Sequence, residues 1–349
     1  MDEARLAALR ERFGGDNARQ IHDPGFAAVA ERLIDPSGTR RAPFSGVPTL
    51  LDAPHRVVDW SAPELSGLDV ALVGVPLDLG VTNRNGTRFG PRAVRAVERI
   101  GPYHHVLRTM PSADLSVADV GDVPFRSRYD LEGSHEDIER TVRTLATAGV
   151  VPLLVGGDHS MTLPVLRALG GERSVGMVHV DAHCDTAGPF DGTPFHHGGP
   201  FRQAVLDGVL DPERTVQIGI RGSSEFLWEF SAESGMTVIH AEALGSTPLD
   251  EIVATARRVV GDGPTYVSFD VDALDPAFAP GTGTPEVGGL TPREAQAILR
   301  GLAGIAIVGA DVVEVAPQYD ATTNTAQVAA QMLFELFSLV PFAPLRTSR

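Results

Sequence analysis

The chain has 349 residues, 43% of them apolar, and a formal net charge of −16 at pH 7. That is enough material to bury a large core as one domain or two. So acidic a chain disfavours nucleic acid and anionic membranes as partners and suits cationic ligands, although acidity serves plain solubility in many proteins.

Residues 1–12 carry charge where a secretory leader needs an apolar stretch, and they read as a short amphipathic helix. Residues 1–65 then show little periodicity: Pro, Gly and Arg recur, as in 35–43, which predicts an irregular N-terminal extension packed over the domain or against a neighbouring copy. From about residue 70, short β-branched runs alternate with helical patterns, the signature of parallel strands joined by crossover helices. Strands are expected at 70–75, 117–123, 150–155, 174–180, 215–220, 236–239, 265–271 and 305–315. Helices are expected at 135–148, 163–169, 249–260, 291–302 and 326–339. The run Val175-Gly176-Met177-Val178-His179-Val180 is nearly all apolar, as strands covered on both faces are. The predicted fold class is α/β: one three-layer α/β/α domain, residues 66–345, around a mostly parallel eight-stranded sheet. Apolar runs such as 150–155 fall far short of the ~20 residues that cross a bilayer, so no membrane span is expected. Cys184 is the only cysteine, so no internal disulfide forms and a cytoplasmic location is the expectation.

In open α/β sheets ligands bind beyond the carboxyl ends of strands, and polar residues collect after three of the predicted ones. Val155 is followed by Gly156-Gly157-Asp158-His159-Ser160, Val180 by Asp181-Ala182-His183-Cys184-Asp185, and Phe269 by Asp270-Val271-Asp272. Extended alternation puts Asp181, His183 and Asp185 on one side, and likewise Asp270 and Asp272. Carboxylates packed so closely repel one another unless a cation neutralises them. Four aspartates with two histidines suit divalent ions of mixed oxygen and imidazole preference: manganese, with nickel or zinc as alternatives. Bridging carboxylates hold a pair of such ions about 3.5 Å apart, an arrangement that generates a hydroxide nucleophile. A single Asp-x-His at a strand end is ordinarily a hydrogen-bonded loop; three converging motifs are not. Gly156-Gly157 lacks the rest of a phosphate loop, and Cys184 reads as structural.

These motifs, in this order and spacing, resemble those of the ureohydrolase family of arginases, agmatinases and guanidino-acid hydrolases, over about residues 68–340. The resemblance implies an arginase-like fold and two divalent metal ions, Mn2+ by family habit with Ni2+ the alternative. One ion would be held by His159, Asp181, Asp185 and Asp270, the other by Asp181, His183, Asp270 and Asp272. It implies a hydrolase that releases urea from a small cationic guanidino substrate, and a homo-oligomer, trimer or hexamer. His197 of His196-His197-Gly198-Gly199-Pro200-Phe201 matches the family's catalytic histidine, and Glu314 of Asp311-Val312-Val313-Glu314 matches its guanidinium-binding acid. Asp185 would steady the attacking hydroxide, Glu314 would take the guanidinium bidentately, and His197 would protonate the leaving nitrogen.

Residues 74–78 and 82–91 are similar to the agmatinase and guanidino-acid branch, and 187–195 lacks the pattern with which arginases hold an amino-acid head. No Lys or Arg lies between Asp185 and Phe201 to anchor a carboxylate, which leaves backbone N–H groups, Asn83 or Arg84. Asn83 and His196 are the further substrate-binding candidates. Gly199, with Phe190 and Phe195, suits a closed pocket or simply packs the loop. Free or small substituted guanidines rank first, short guanidino acids such as guanidinopropionate or guanidinobutyrate second, and agmatine third, with Asp191 available to its ammonium. A metal-dependent amide hydrolase or a non-catalytic regulatory subunit on the same fold are the readings from other classes, and the full ligand set fits neither well.

Overall fold

The computed structural model describes residues 1–33, 45–98 and 100–344. The Pro- and Arg-rich stretch 35–43 lies outside the described residues, as does residue 345. Contacts gather the chain into two units, Met1–Ser45 and Gly46–Arg349.

The first unit holds the helices Glu3–Phe13 and Pro24–Leu33. Asp2 caps the former, accepting from the amides of Ala4 and Arg5. None of its residues is buried, so the expected helix is present without the buried face that amphipathicity implies.

In the second unit eight strands form one sheet: β1 Val70–Val75, β2 Val117–Asp122, β3 Val151–Gly156, β4 Val175–Val180, β5 Leu210–Ile220, β6 Thr237–His240, β7 Thr265–Asp270 and β8 Ile307–Val313. Their order is β2-β1-β3-β8-β7-β4-β5-β6, and every pairing is parallel. Side chains alternate between two cores as the period of two requires. Leu153, Val155, Val178, Val180, Val267 and Phe269 join one core. Leu154, Met177, Tyr266 and Val313 join the other. Residues of the helices Leu249–Val260, Pro292–Gly301 and Asn324–Leu339 bury on the first face, and those of Leu131–Thr147, Thr162–Gly170 and Pro200–Leu206 on the second. This gives three layers.

β5 begins at Leu210, earlier than predicted, because the pairing shifts between Val175↔Leu210 and Met177↔Thr215 and the polar residues between are carried over. β8 stops short because Glu314 turns to φ 66°. The segment after Gly46, assigned by sequence to the extension, supplies Leu50 to the first core, and its amide donates to Asp119 Oδ2 at 2.8 Å. Asn324–Phe342 is long and apolar enough to cross a bilayer, but most of it is buried inside the protein. Gln327, Gln331 and Glu335 interrupt the run, which is why no long apolar stretch shows in the sequence.

The order β3-β8-β7-β4 has a functional consequence. The chain leaves β3, skips two positions and returns as β4, and the C-terminal ends of these four adjacent strands carry His159, Glu314, Asp270 and Asp181. Such a reversal opens a crevice at the strand ends.

Candidate metal centre

Each presumed ligand is set by a turn at its strand end. Gly157, at φ 39°, lets the chain pass against Val75 O and Leu77 O, where a Cβ would collide, so the glycine pair serves close packing and not phosphate binding. Asp158 then caps the short turn His159–Met161. Asp181 and His183 do converge, but by a turn and not by strand alternation: the His183 amide donates to Asp181 Oδ1 at 2.6 Å. Asp272 donates in the same way to Asp270 Oδ1 at 2.8 Å. Asp185 reaches the cluster at φ 51°. It and Glu314 are non-glycine residues in the left-handed region, a strain that clusters at functional sites.

The six sequence-predicted ligands meet. His159 Nδ1 stands 2.9 Å from Asp185 Oδ2, 3.1 Å from Asp181 Oδ2 and 3.3 Å from Asp270 Oδ2. His183 Nδ1 stands 3.2 Å from Asp272 Oδ2 and 3.5 Å from Asp181 Oδ1. Asp181 thus offers one oxygen to each histidine. Two groups of donor atoms, His159-His179-Asp181-Asp185 and Asp181-His183-Asp272, each lie within 4.8 Å of one another. His179 was missed by the sequence reading, although it sits two residues before Asp181 on the same side of β4. Its Nε2 contacts Asp181 Oδ2 at 2.7 Å while Gln217 Nε2 lies 3.1 Å from its Nδ1. With Gln217 donating to Nδ1, the ring must donate from Nε2, so His179 steadies Asp181.

Electrostatics test whether a cation fits. Burial would lower the pKa of His159, but hydrogen bonds to Asp181, Asp185 and Asp270 raise it well above the imidazole range. Burial opposes and Asp272 promotes a like rise at His183. Burial, then Asp272 and Asp181, push Asp270 well above the carboxylate range, and burial raises Asp272. Asp181, despite burial, is held well below it by His179 and the other imidazoles. The centre therefore gathers protons to offset its carboxylates, and divalent ions would replace them. His159 Nδ1 is buried facing three carboxylate oxygens at 2.9–3.3 Å, the position a ligand atom takes beside a shared cation. The residues fit a pair of metal ions.

Beside the ligands lies a cavity of about 480 Å³ whose walls include His183, Asp185, His197, Asp270 and Glu314, with Phe190, Phe226 and Trp228. Glu314 Oε1 accepts from the His159 amide at 2.8 Å and pairs with His197 Nδ1 at 2.9 Å. Its Oε2 is buried without a partner. Among protein contacts, one oxygen is engaged and one is free. His197 Nε2 lies 2.7 Å from Thr82 Oγ1. Burial lowers and Glu314 raises the His197 pKa, to about 9. The Thr82 amide, 3.1 Å from the same Nε2, favours a bare nitrogen. When the ring is protonated Nε2 donates to Thr82 Oγ1, and when Nε2 is bare it accepts from the Thr82 amide.

His196 also lines the cavity. Its Nε2 donates to Gly188 O at 2.9 Å, and its buried Nδ1 has no partner. The ring occupies the space a side chain at Gly199 would need, since a Cβ there would lie 2.9 Å from His196 Nε2. Asn83 is not brought to the site. It is exposed, its amide reaches Gly283 O at 3.4 Å, and Thr82 lines the cavity in its place. Arg84 is likewise engaged, with Gly283 O and the Tyr319 ring. Phe195 packs against His135 and is not among the lining residues. Arg221, unforeseen in the sequence, is buried in the wall but donates to the carbonyls of Val287, Gly219, Ala273, Asp272 and Glu286, so no N–H is left for a ligand. Burial pushes the Cys184 thiol up to about 12, so it stays neutral.

Known proteins resemble this chain over most of its length. The model of the arginase family matches residues 68–338. A guanidinopropionase of Pseudomonas aeruginosa is 50% identical over 309 residues, covering 87% of this chain and 95% of that protein. A mitochondrial guanidino acid hydrolase of Homo sapiens is 45% identical over 342 residues, 97% of this chain and 94% of the relative. Among solved structures, the proclavaminate amidino hydrolase of Streptomyces clavuligerus superposes with a TM-score of 0.81 at 34% identity, covering 87% of this chain and all of that one.

Proposed function

This chain belongs to the arginase family and is a hydrolase of guanidino C–N bonds, and from that membership we propose that its substrate is a short guanidino acid, split to urea and an amino acid. Glu314 Oε2, buried, unpartnered and beside the cavity, is the observation that carries the guanidinium assignment. His159, Asp181, Asp185 and Asp270 would hold one ion, and Asp181, His183, Asp270 and Asp272 the other. Manganese is the first choice, and nickel suits the same oxygen and imidazole donors. When bound, the pair would supply an activated water and offset the negative charge on its attacking oxygen.

The chain's own groups do the rest. Glu314 accepts a guanidinium N–H on Oε2 and thereby orients the planar carbon toward the metal centre. Asp185, the ligand carboxylate with 9% exposure, faces the cavity and orients the attacking water. His197 is protonated at neutral pH and donates from Nε2 to the departing nitrogen, with Thr82 Oγ1 aiming the ring. His197→Ala should lower kcat by about 10²–10⁴-fold with metal content per subunit unchanged; loss of metal in that variant would contradict the role.

The tail is assigned from three supports. The relatives named for guanidinopropionate and guanidino acids are 50% and 45% identical, and the cavity is far larger than free guanidine requires. The exposed hydroxyls of Ser223 and Ser224 in its wall suit a carboxylate. A second reading, free guanidine, is favoured by Arg221 being spent on carbonyls. Urea release from guanidinopropionate, guanidinobutyrate, guanidine, agmatine and arginine decides. We expect kcat/KM to be highest for a guanidino acid, and a tenfold preference for guanidine or agmatine would overturn the tail assignment. A homo-oligomer, trimer or hexamer, and a cytoplasmic location complete the proposal, the latter resting on a fold that needs no disulfide.

A further inference from the structure

Asp311 lies on β8, in register with Ser268 on β7, and is fully buried. Its Oδ1 accepts from Ser268 Oγ at 2.7 Å, and its Oδ2 from Tyr266 OH at 2.8 Å and Thr162 Oγ1 at 2.6 Å. No cationic side chain pairs with it among the described residues. A carboxylate buried without a cation is costly, and packing alone would be served better by an apolar residue.

The direction of the protons gives it a purpose. A serine hydroxyl has one hydrogen. Spent on Asp311, it leaves Ser268 Oγ as an acceptor toward His159 Nε2, 2.8 Å away. The imidazole then carries its hydrogen on Nε2 and a lone pair on Nδ1, the buried atom that faces Asp181, Asp185 and Asp270. We propose that Asp311, acting through Ser268 Oγ, is a positioning residue that keeps the His159 ring hydrogen on Nε2, so that Nδ1, facing the acidic cluster, is the atom left for a divalent cation. The proposal rests on reading His159 as a ligand. Outer partners of this kind fix ring orientation and raise ligand basicity. An amide at position 311 could donate to Ser268 instead, reversing the chain so that Ser268 donates to Nε2 and the hydrogen moves to Nδ1.

Manganese titration of the purified metal-free protein, with bound metal counted per subunit, tests this. In Ser268→Ala and Asp311→Asn, one of two manganese sites should weaken by about 10–100-fold while the other stays within threefold. The cobalt-loaded protein should show an Nε2–H resonance protected from exchange, and in Ser268→Ala that proton should exchange with solvent faster. Tyr266→Phe removes a contact to Asp311 that is outside the relay, and should leave both sites within threefold. If Asp311→Asn does not fold, Ser268→Ala against Tyr266→Phe still decides. Two full-affinity sites in Ser268→Ala, or equal weakening in Tyr266→Phe, would overturn the relay alone. No metal uptake by the unaltered protein would overturn it together with the functional reading beneath it.

Discussion

Glu314→Gln should cut kcat/KM for urea release by about 10²–10³-fold, the range seen when one preorganised charged contact is removed from a reacting group, while the protein keeps both metal ions. The structure gives the reason. Oε1 already serves the His159 amide and His197 Nδ1, so a glutamine must place its carbonyl there and its NH2 where Oε2 now stands. A donor would then face a guanidinium that carries only donors. The loss of charge also reaches His197, whose pKa is held at about 9 largely by this carboxylate against burial. Without Glu314 the ring loses its proton at lower pH. Activity that needs the protonated ring falls as pH rises through its pKa, so the basic limb of the pH profile should move toward acid in the variant. Retention of activity within threefold would remove Glu314 as the guanidinium anchor. Loss of metal would show instead that its grip on the His159 amide is its main duty.

Much of this site is legible in the sequence, but the cause of its residue pairings is not. Asp181 with His183, and Asp270 with Asp272, are paired by side-chain-capped turns, not by strand alternation, and both geometries put alternate residues on one side. His179 and Ser268 carried a readable signal, since each lies two residues before a ligand on a strand whose period is two. Asp311 carried none of that kind: its place opposite Ser268 depends on β7 pairing with β8, and register between strands so far apart in sequence is not written locally. The donors that engage Glu314 Oε1 were illegible for a similar reason, because His159 and His197 are 155 and 117 residues away. Asn83 and Thr82 are neighbours, and which one enters the cavity is settled by a turn that composition does not specify.

Asp181→Ala should abolish turnover and also the rise in Tm on adding manganese, whereas Asp272→Ala should lose the His183-side ion alone. Asp181 gives Oδ2 to the His159 side and Oδ1 to the His183 side, and among the described residues it alone has a carboxylate oxygen within ion-pair distance of Nδ1 on each histidine. Its removal strands the His179 Nε2–H and the His183 amide, each at a cost of about 1–3 kcal/mol for a buried unsatisfied donor. It also relieves Asp270 and Asp272 of a carboxylate that pushes both upward. These effects oppose each other, so the metal-free variant should unfold near the temperature of the unaltered metal-free protein. The metal-linked part should not survive, and at a thousandfold excess over Kd that part amounts to about 4 kcal/mol per ion. Its pH dependence carries a definite sign. In the empty centre His159 and His183 hold protons well above the ordinary imidazole range, and an ion must displace them. Metal-induced stabilisation of the unaltered protein should therefore shrink as pH falls and grow as it rises. A Tm rise that stays constant from pH 6 to 9, or one that persists in Asp181→Ala, would mean that the ions are held somewhere other than between these carboxylates.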